Sequence, residues 1–394
     1  MTAPDKPQRW DIFCRIVDNY GDIGVCWRLA RQLTDDHGIR VRLWVDDLAV
    51  AQRLIPAIDL QLPSQRIEDV EIAHWVADFP DTTVADVVIE AFACELPPRY
   101  LNAMASARPV WLNLEYLSAE SWVADFHLRP SPHPRLPLTK YFYFPGFVEE
   151  SGGLLRERGL ITAREAFQRS PQAQAAFCRR LGIDRLRSAT SGDRDSANSD
   201  SMTMRVSLFC YGHAAIDTLL ADMAASAQPI HCLVSDPQLT ARVEAWLGQP
   251  MAPGTTESRG NLHVLRLPFL SQDDYDRLLW LCDLNFVRGE DSWLRALWAG
   301  KPAIWQPYRQ EEDAHLAKLE AYLVGKDADL EDELRAELQA IHRAWAEGRW
   351  HAGSIAWLQR NLAALQAHAE HYCHRLARQP DLATKLVIFC RNLF

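Results

Sequence analysis

The chain has 394 residues, 48% hydrophobic and 24% charged, which are ordinary globular values for a length that favours two domains over one core. Its 42 basic and 52 acidic side chains leave a formal net charge of −10, which argues against nonspecific binding to nucleic acid or an anionic membrane and leaves a basic protein partner open. The nine cysteines are scattered without a C-x-x-C pair, the N-terminus MTAPDKPQRW has no apolar signal region, and no apolar run is long enough to span a bilayer; a cytoplasmic protein with reduced, mostly buried thiols is expected.

The first half opens with a strand, WDIFCRIV, a loop, DNYGDIG, and a helix, VCWRLARQLTDDHG, that stops at Gly38. RVRLWVDD is a second strand, VADVVIEAF a third and RPVWLNLEY a fourth. Several of these runs are continuously apolar and alternate with helical segments, the pattern of a parallel sheet covered on both faces. The proline-rich stretch HLRPSPHPRLPLTKYFYFPGF reads as an ordered loop leading into a last strand. The predicted first domain spans 1–155.

Residues 187–203, RSATSGDRDSANSDSMT, are rich in Ser and Asp and poor in apolar side chains, the composition of a flexible loop or linker. Asp193-Arg194-Asp195 within it mimics a D-x-D metal motif, but no metal role is assigned there. Strand–helix alternation resumes with MRVSLFCYG, PIHCLVSD, LHVLRLPF, LNFVR and PAIWQP. A second α/β domain is predicted over 156–350. Helices are expected near 310–324, 330–347 and 354–377, and the remainder, 351–394, is expected to be helical and to pack back on the first domain.

The stretch FVRGEDSWLRALWAGKPAIWQPYRQEEDAH, from Phe286 to His315, carries the densest chemistry. A strand ends at Gly289, polar residues open an amphipathic helix, and Gly300-Lys301-Pro302 stops it before the next buried strand. The unpaired N–H groups and partial positive charge of such a helix start suit a diphosphate. Glu290, Asp291 and Ser292 all favour helix caps, yet three consecutive polar residues exceed what one cap requires. Arg288 before the glycine suits a phosphate oxygen or a carboxylate. Phe269 and Gln272 follow another strand at the same edge, where a ring stacks on a base and an amide reads it, although ordinary packing also accounts for Phe269. Phe209 and Tyr211, at the end of SLFCYG, carry the same two readings.

In the first half, Asp18, Asn19, Tyr20, Gly21 and Asp22 form a loop at the carboxyl end of the first strand, the edge where open α/β sheets bind ligands. Either Asp22 caps the helix and Asp18 makes a turn hydrogen bond, or the two carboxylates serve a site together. His368, His371 and His374 recur at helical spacing, but without a carboxylate or paired cysteines they read as a solvated face rather than a zinc site. The chain has no Gly-Lys-Ser/Thr phosphate loop, no Gly-x-Ser-x-Gly elbow and no His-Glu-x-x-His.

The order Gly-Glu-Asp-Ser, Ala-Gly-Lys-Pro and Pro-x-x-Gln resembles the nucleotide-sugar site of GT-B glycosyltransferases. IFCRIVDNYGDIGVCWRLARQL, VIEAFACELP, LNLEYLSAES, FVEESGGLLRER, LPFLSQDDYDRLL and RGEDSWLRALWAGKPAIWQPY together resemble the bacterial elongation factor P arginine rhamnosyltransferases over nearly the whole chain. That resemblance implies two facing Rossmann-like domains with an interdomain cleft, and an inverting, metal-independent transfer of rhamnose from dTDP-β-L-rhamnose to an arginine of elongation factor P, with no resident cofactor. It implies Asp22 as general base, Asp18 as its partner and Glu290 as essential beside the donor. Arg288, Asp291 and Ser292 would line the donor site, Phe269 and Gln272 would hold the thymine, and Phe209 and Tyr211 would flank the nucleotide. A sugar-nucleotide enzyme with another acceptor, or a non-catalytic binding module for a translation factor, are the alternatives.

Overall fold

A computed structural model describes residues 8–17, 20–184 and 203–393. Asp18, Asn19 and the Asp193-Arg194-Asp195 motif lie outside the described residues. The chain forms two compact units, Met1–Arg158 with Leu376–Phe394, and Gly159–Arg375.

The first unit is built on an eight-stranded sheet in the order β3-β4-β2-β1-β5-β6-β8-β7. Its central strands β1 (Arg9–Cys14), β2 (Arg40–Val45), β4 (Val70–His74), β5 (Val87–Ala91), β6 (Val110–Leu114) and β8 (Thr139–Tyr143) pair in parallel. Their apolar side chains are buried on both faces, as the unbroken runs Ile12-Phe13-Cys14 and Val87-Val88-Ile89 require. Helix α1 (Gly21–His37) follows β1 and ends at Gly38, whose φ of 66° closes it in the left-handed conformation.

Three strands of this sheet are absent from the sequence reading: β4, whose apolar run is broken by Glu71 and His74, and two antiparallel edge strands. β3 (Ser64–Ile67) pairs antiparallel with β4 through a two-residue turn, Glu68-Asp69, with φ of 47° and 62°. Such a turn is usually flagged by Asn-Gly, and Glu-Asp carries no such signal. The proline-rich segment expected as a loop contains β7 (Pro130–Pro132), which lies on the sheet edge, where missing N–H groups cost nothing. The last helix, Leu382–Arg391, lies within the C-terminal stretch expected to be helical and belongs to this unit. Asp381 caps it through the Thr384 N–H at 2.9 Å and accepts from Gln32 of α1 at 3.0 Å, while Phe389 packs edge-on to Tyr141.

The core of the first unit encloses an ion pair. Asp11 and Arg42 are register partners on β1 and β2, and the guanidinium donates to both carboxylate oxygens at 3.0 and 2.6 Å. Tyr100 adds a third donor at 2.5 Å, so the buried carboxylate is fully engaged.

The second unit carries a six-stranded sheet in the order β11-β12-β10-β9-β13-β14. β9 (Met204–Leu208), β10 (Ile230–Val234), β12 (Leu262–Arg266), β13 (Leu284–Arg288) and β14 (Ala303–Gln306) are parallel. Only β11 (Thr256–Arg259), joined to β12 by Gly260-Asn261, is antiparallel. Tryptophans fill this core: Trp293 and Trp305 stack at 3.8 Å with Tyr322 edge-on to both, and Trp345 and Trp350 close on Phe286. No helix among the described residues is long and apolar enough to cross a membrane.

Both sheets are doubly wound, and each has one position where the strand order reverses. In the first unit this falls between β1 and β5, and in the second between β9 and β13. Open α/β sheets leave a crevice at the carboxyl ends of such strands.

Candidate active site

Asp22 sits in the first turn of α1, directly past β1 at the switch point of the first sheet. It is 2% exposed. The helix cap is Tyr20, which makes no side-chain cap bond, so the reading of Asp22 as a cap does not hold. Its carboxylate instead receives the Val17 N–H on Oδ2 at 2.8 Å and the Tyr116 hydroxyl on Oδ1 at 3.2 Å. Val17 and Tyr116 thereby hold both oxygens of the carboxylate in place. Gly21 is the first helical residue, and the Tyr20 hydroxyl accepts from Arg53 at 3.3 Å.

Tyr116, missed by the sequence reading of single residues, lies just past the carboxyl end of β6. It stacks on Phe92 with ring centroids 4.4 Å apart. Phe92, Ala93 and Glu95 all have positive φ, a tight non-glycine turn after β5 held by Asn113 accepting from Ala93 and Glu90 accepting from Glu95. Lys140 reaches Glu90 at 3.1 Å, and the Glu115 carboxylate accepts from the Asn113 amide at the same edge. Burial raises the Glu115 carboxyl above its usual range, although Asn113 and Lys140 act the other way. The strained turn and this buried polar group converge on the same sheet edge as Asp22, a concentration typical of functional sites.

In the second unit, Gly289 takes φ of 61°, a left-handed conformation that turns β13 into the helix Asp291–Ala299. Its carbonyl accepts from the indole of Trp305 at 2.7 Å, and its N–H donates to Gln306 at 3.2 Å. Glu290 occupies the cap position without a side-chain cap bond. Ser292 is buried and uses its hydroxyl on the Arg288 backbone rather than as a cap. The Glu290 carboxylate is held by Lys318, whose ammonium lies 2.5 Å from Oε1. Lys318 belongs to the helix Ala314–Lys326, outside every motif the sequence reading singled out. Its only signal was helical spacing four residues before Tyr322.

Arg288, almost wholly buried, lies over the rings of Phe209 and Tyr211, 4.2 and 4.8 Å from their centroids. Its guanidinium also donates to the Cys210 carbonyl at 3.1 Å and to Asp236 at 3.4 Å. Arg288 therefore ties the end of β9 to the end of β13 across the switch point, and its charge is shared with Asp236. Tyr211 is fixed further by its N–H on the Gln306 side chain at 2.8 Å and by Tyr308 edge-on at 5.7 Å.

Gln272 is buried at the start of the helix Gln272–Leu281, which Ser271 caps and which packs on β9 and on the helix Asp291–Ala299. Phe269, in the loop before it, is 44% exposed. Asp291 is half-buried in the first turn of its helix. The structure thus gathers Phe209, Tyr211, Arg288, Glu290, Asp291 and Ser292 at one sheet edge. His368 departs from the expected solvated face: its imidazole meets the buried Asp327 at 3.3 Å. No group of three or more metal-binding side chains occurs among the described residues.

Comparison with known proteins finds relatives over nearly the whole chain. A family model described as "Elongation-Factor P (EF-P) rhamnosyltransferase EarP" matches residues 10–391. A protein-arginine rhamnosyltransferase of Pseudomonas putida is 46% identical over 97% of this chain and 98% of its own length. A solved structure describing the basis for EarP-mediated arginine glycosylation of translation elongation factor EF-P is 36% identical, with a TM-score of 0.67 over 98% of this chain and 100% of that one. The spinosyn rhamnosyltransferase SpnG complexed with thymidine diphosphate is 12% identical, with a TM-score of 0.51 over 97% of this chain and 99% of that one; it shares the GT-B fold.

Proposed function

The chain belongs to the EarP family of elongation factor P rhamnosyltransferases, protein-arginine glycosyltransferases of GT-B fold, and we propose that its two units divide that reaction, the first taking the acceptor arginine and the second the donor. The donor in this reading is dTDP-β-L-rhamnose, and transfer inverts the anomeric centre without a metal. What supports the division most directly is that each unit places one fixed carboxylate at its own switch point: Asp22 in the first, Glu290 in the second.

On the donor side, Phe209 and Tyr211 flank the nucleotide, with Arg288 holding the two rings at a fixed spacing. Phe269 and Gln272 take the thymine, the exposed ring by stacking and the amide by hydrogen bonding. The diphosphate meets the N-terminus of the helix Asp291–Ala299, where aligned N–H groups favour an anion, and Asp291 and Ser292 line that turn. Glu290 supports the sugar and the diphosphate beside it.

On the acceptor side, Asp22 binds the guanidinium with help from Asp18. A guanidinium is a far weaker acid than a carboxylic acid, so a carboxylate cannot simply deprotonate a resting arginine. Asp22 instead orients one guanidinium nitrogen at the anomeric carbon. As that nitrogen forms the new C–N bond, the bond from the anomeric carbon to the diphosphate oxygen breaks and its electron pair leaves with dTDP. The nitrogen's proton becomes acidic as the bond forms and passes to Asp22. Fixed position and charge complementarity supply most of the rate enhancement. The Val17 N–H and the Tyr116 hydroxyl fix Asp22 for this task.

The test is the intact mass of elongation factor P after incubation with the enzyme and a panel of sugar nucleotides. A deoxyhexose adduct on one arginine, formed only with dTDP-β-L-rhamnose, is the expected outcome. An adduct from another donor in preference, or on a residue other than arginine, would refute the reading.

A further inference from the structure

Glu290 raises a physical difficulty that its own motif does not resolve. A carboxylate beside a diphosphate repels it, and the repulsion grows as the leaving group takes up the electron pair of the breaking bond. The structure sets a cation against that carboxylate. The Lys318 ammonium lies 2.5 Å from Glu290 Oε1, with the two side chains only 12% and 19% exposed. Solvent screening is weak for a pair so enclosed.

The scaffold fixes this pair at two levels. Lys318 and Tyr322 are four residues apart and share one face of the helix Ala314–Lys326. Glu290 and Trp293 are three apart on the facing helix start. Tyr322 meets Trp293 edge-on at 4.8 Å, and Trp293 stacks on Trp305 at 3.8 Å. The aromatic contact sets the register of the two helices, and that register brings Lys318 to Glu290.

We propose that Lys318 is a positioning residue for the transfer: it keeps Glu290 aimed, and it offsets the negative charge that Glu290 sets beside the donor diphosphate. The inference rests on the reading of Glu290 as a donor-side group. It assigns the cation of the donor side to a residue outside the glycine-turn motif, because the charge of Arg288 is already shared with Asp236.

A double-mutant cycle tests it, with transfer to elongation factor P followed by intact mass under single turnover and folding followed by thermal unfolding. Lys318→Met is expected to slow transfer about 100-fold, the scale of removing one group that stabilises developing charge. Lys318→Arg restores most of the rate, since it keeps the cation. Lys318→Met adds no further loss when Glu290 is already Gln, because the lysine acts through that carboxylate. A wild-type rate for Lys318→Met, or a loss that adds in full to that of Glu290→Gln, overturns the role of Lys318 while the role of Glu290 stands. A wild-type rate for Glu290→Gln alone overturns the reading of Glu290 and this inference with it.

Discussion

Asp22 and Glu290 occupy analogous places, each in or before the first turn of a helix that follows a central strand, yet neither caps its helix. Asp22 spends its oxygens on Val17 and Tyr116, and Glu290 on Lys318. A carboxylate at a helix start that is not a cap is retained for some other purpose. Glu290→Gln should therefore lose turnover without unfolding, since no cap is lost; wild-type rates in this variant would remove Glu290 from the site. Residue types and their glycine turns were readable in the sequence, because Gly289 and the polar run after it are contiguous. Lys318, Tyr116 and Asp236 were not, because each reaches its partner from a different element. Only tertiary placement makes them neighbours. Phe269 shows the converse: its character was ambiguous in the sequence, and the structure leaves its ring 44% exposed.

At the scale of elements, largely apolar runs identified every parallel strand but β4, and the helix stops at Gly38 and Gly300 fell where left-handed glycines were expected. Of the strands missed, β3, β7 and β11 are short, antiparallel and without an apolar run, and the parallel β4 is five residues long with Glu71 and His74 interrupting its apolar positions. Strand order, and with it the two switch points, is not written in any local pattern. One element-scale contact is decisive for the first sheet, the buried pair of Asp11 on β1 with Arg42 on β2. Asp11→Ala should leave that guanidinium buried and uncompensated and cost about 3–5 kcal/mol. A chemical denaturation midpoint unchanged from wild type would show that the pair contributes nothing to holding β1, and hence the loop before Asp22, in place.

For the whole molecule, the second unit contains a titratable cluster that sets how stability depends on pH. Burial, reinforced by the nearby Lys326 ammonium, lowers the His342 imidazole to about 3 from an ordinary value of 6.5. Burial alone would raise the Asp327 carboxyl, but His368 and Lys326 outweigh it and bring it to about 2 from 3.8. Both groups have folded pKa values below their unfolded ones, so the unfolded chain takes up protons first as pH falls. The stability they confer is complete above pH 6.5 and is lost progressively toward pH 3 for His342, and from 3.8 toward 2 for Asp327. Thermal midpoints should fall between about pH 6.5 and pH 5, and His342→Leu should flatten that slope. An equal slope in the variant would assign the acid sensitivity elsewhere.

Division of labour between the units is the central claim, and it was legible only by joining two readings. The diphosphate cradle follows from turn chemistry and helix electrostatics, whereas rhamnose and arginine came from the resemblance of motifs dispersed along both halves. The most direct test is Asp22→Asn, with dTDP-β-L-rhamnose affinity measured by calorimetry and arginine modification of elongation factor P measured by intact mass on the same preparation. The account predicts donor affinity close to wild type with transfer abolished; weakened donor binding with transfer retained would contradict it.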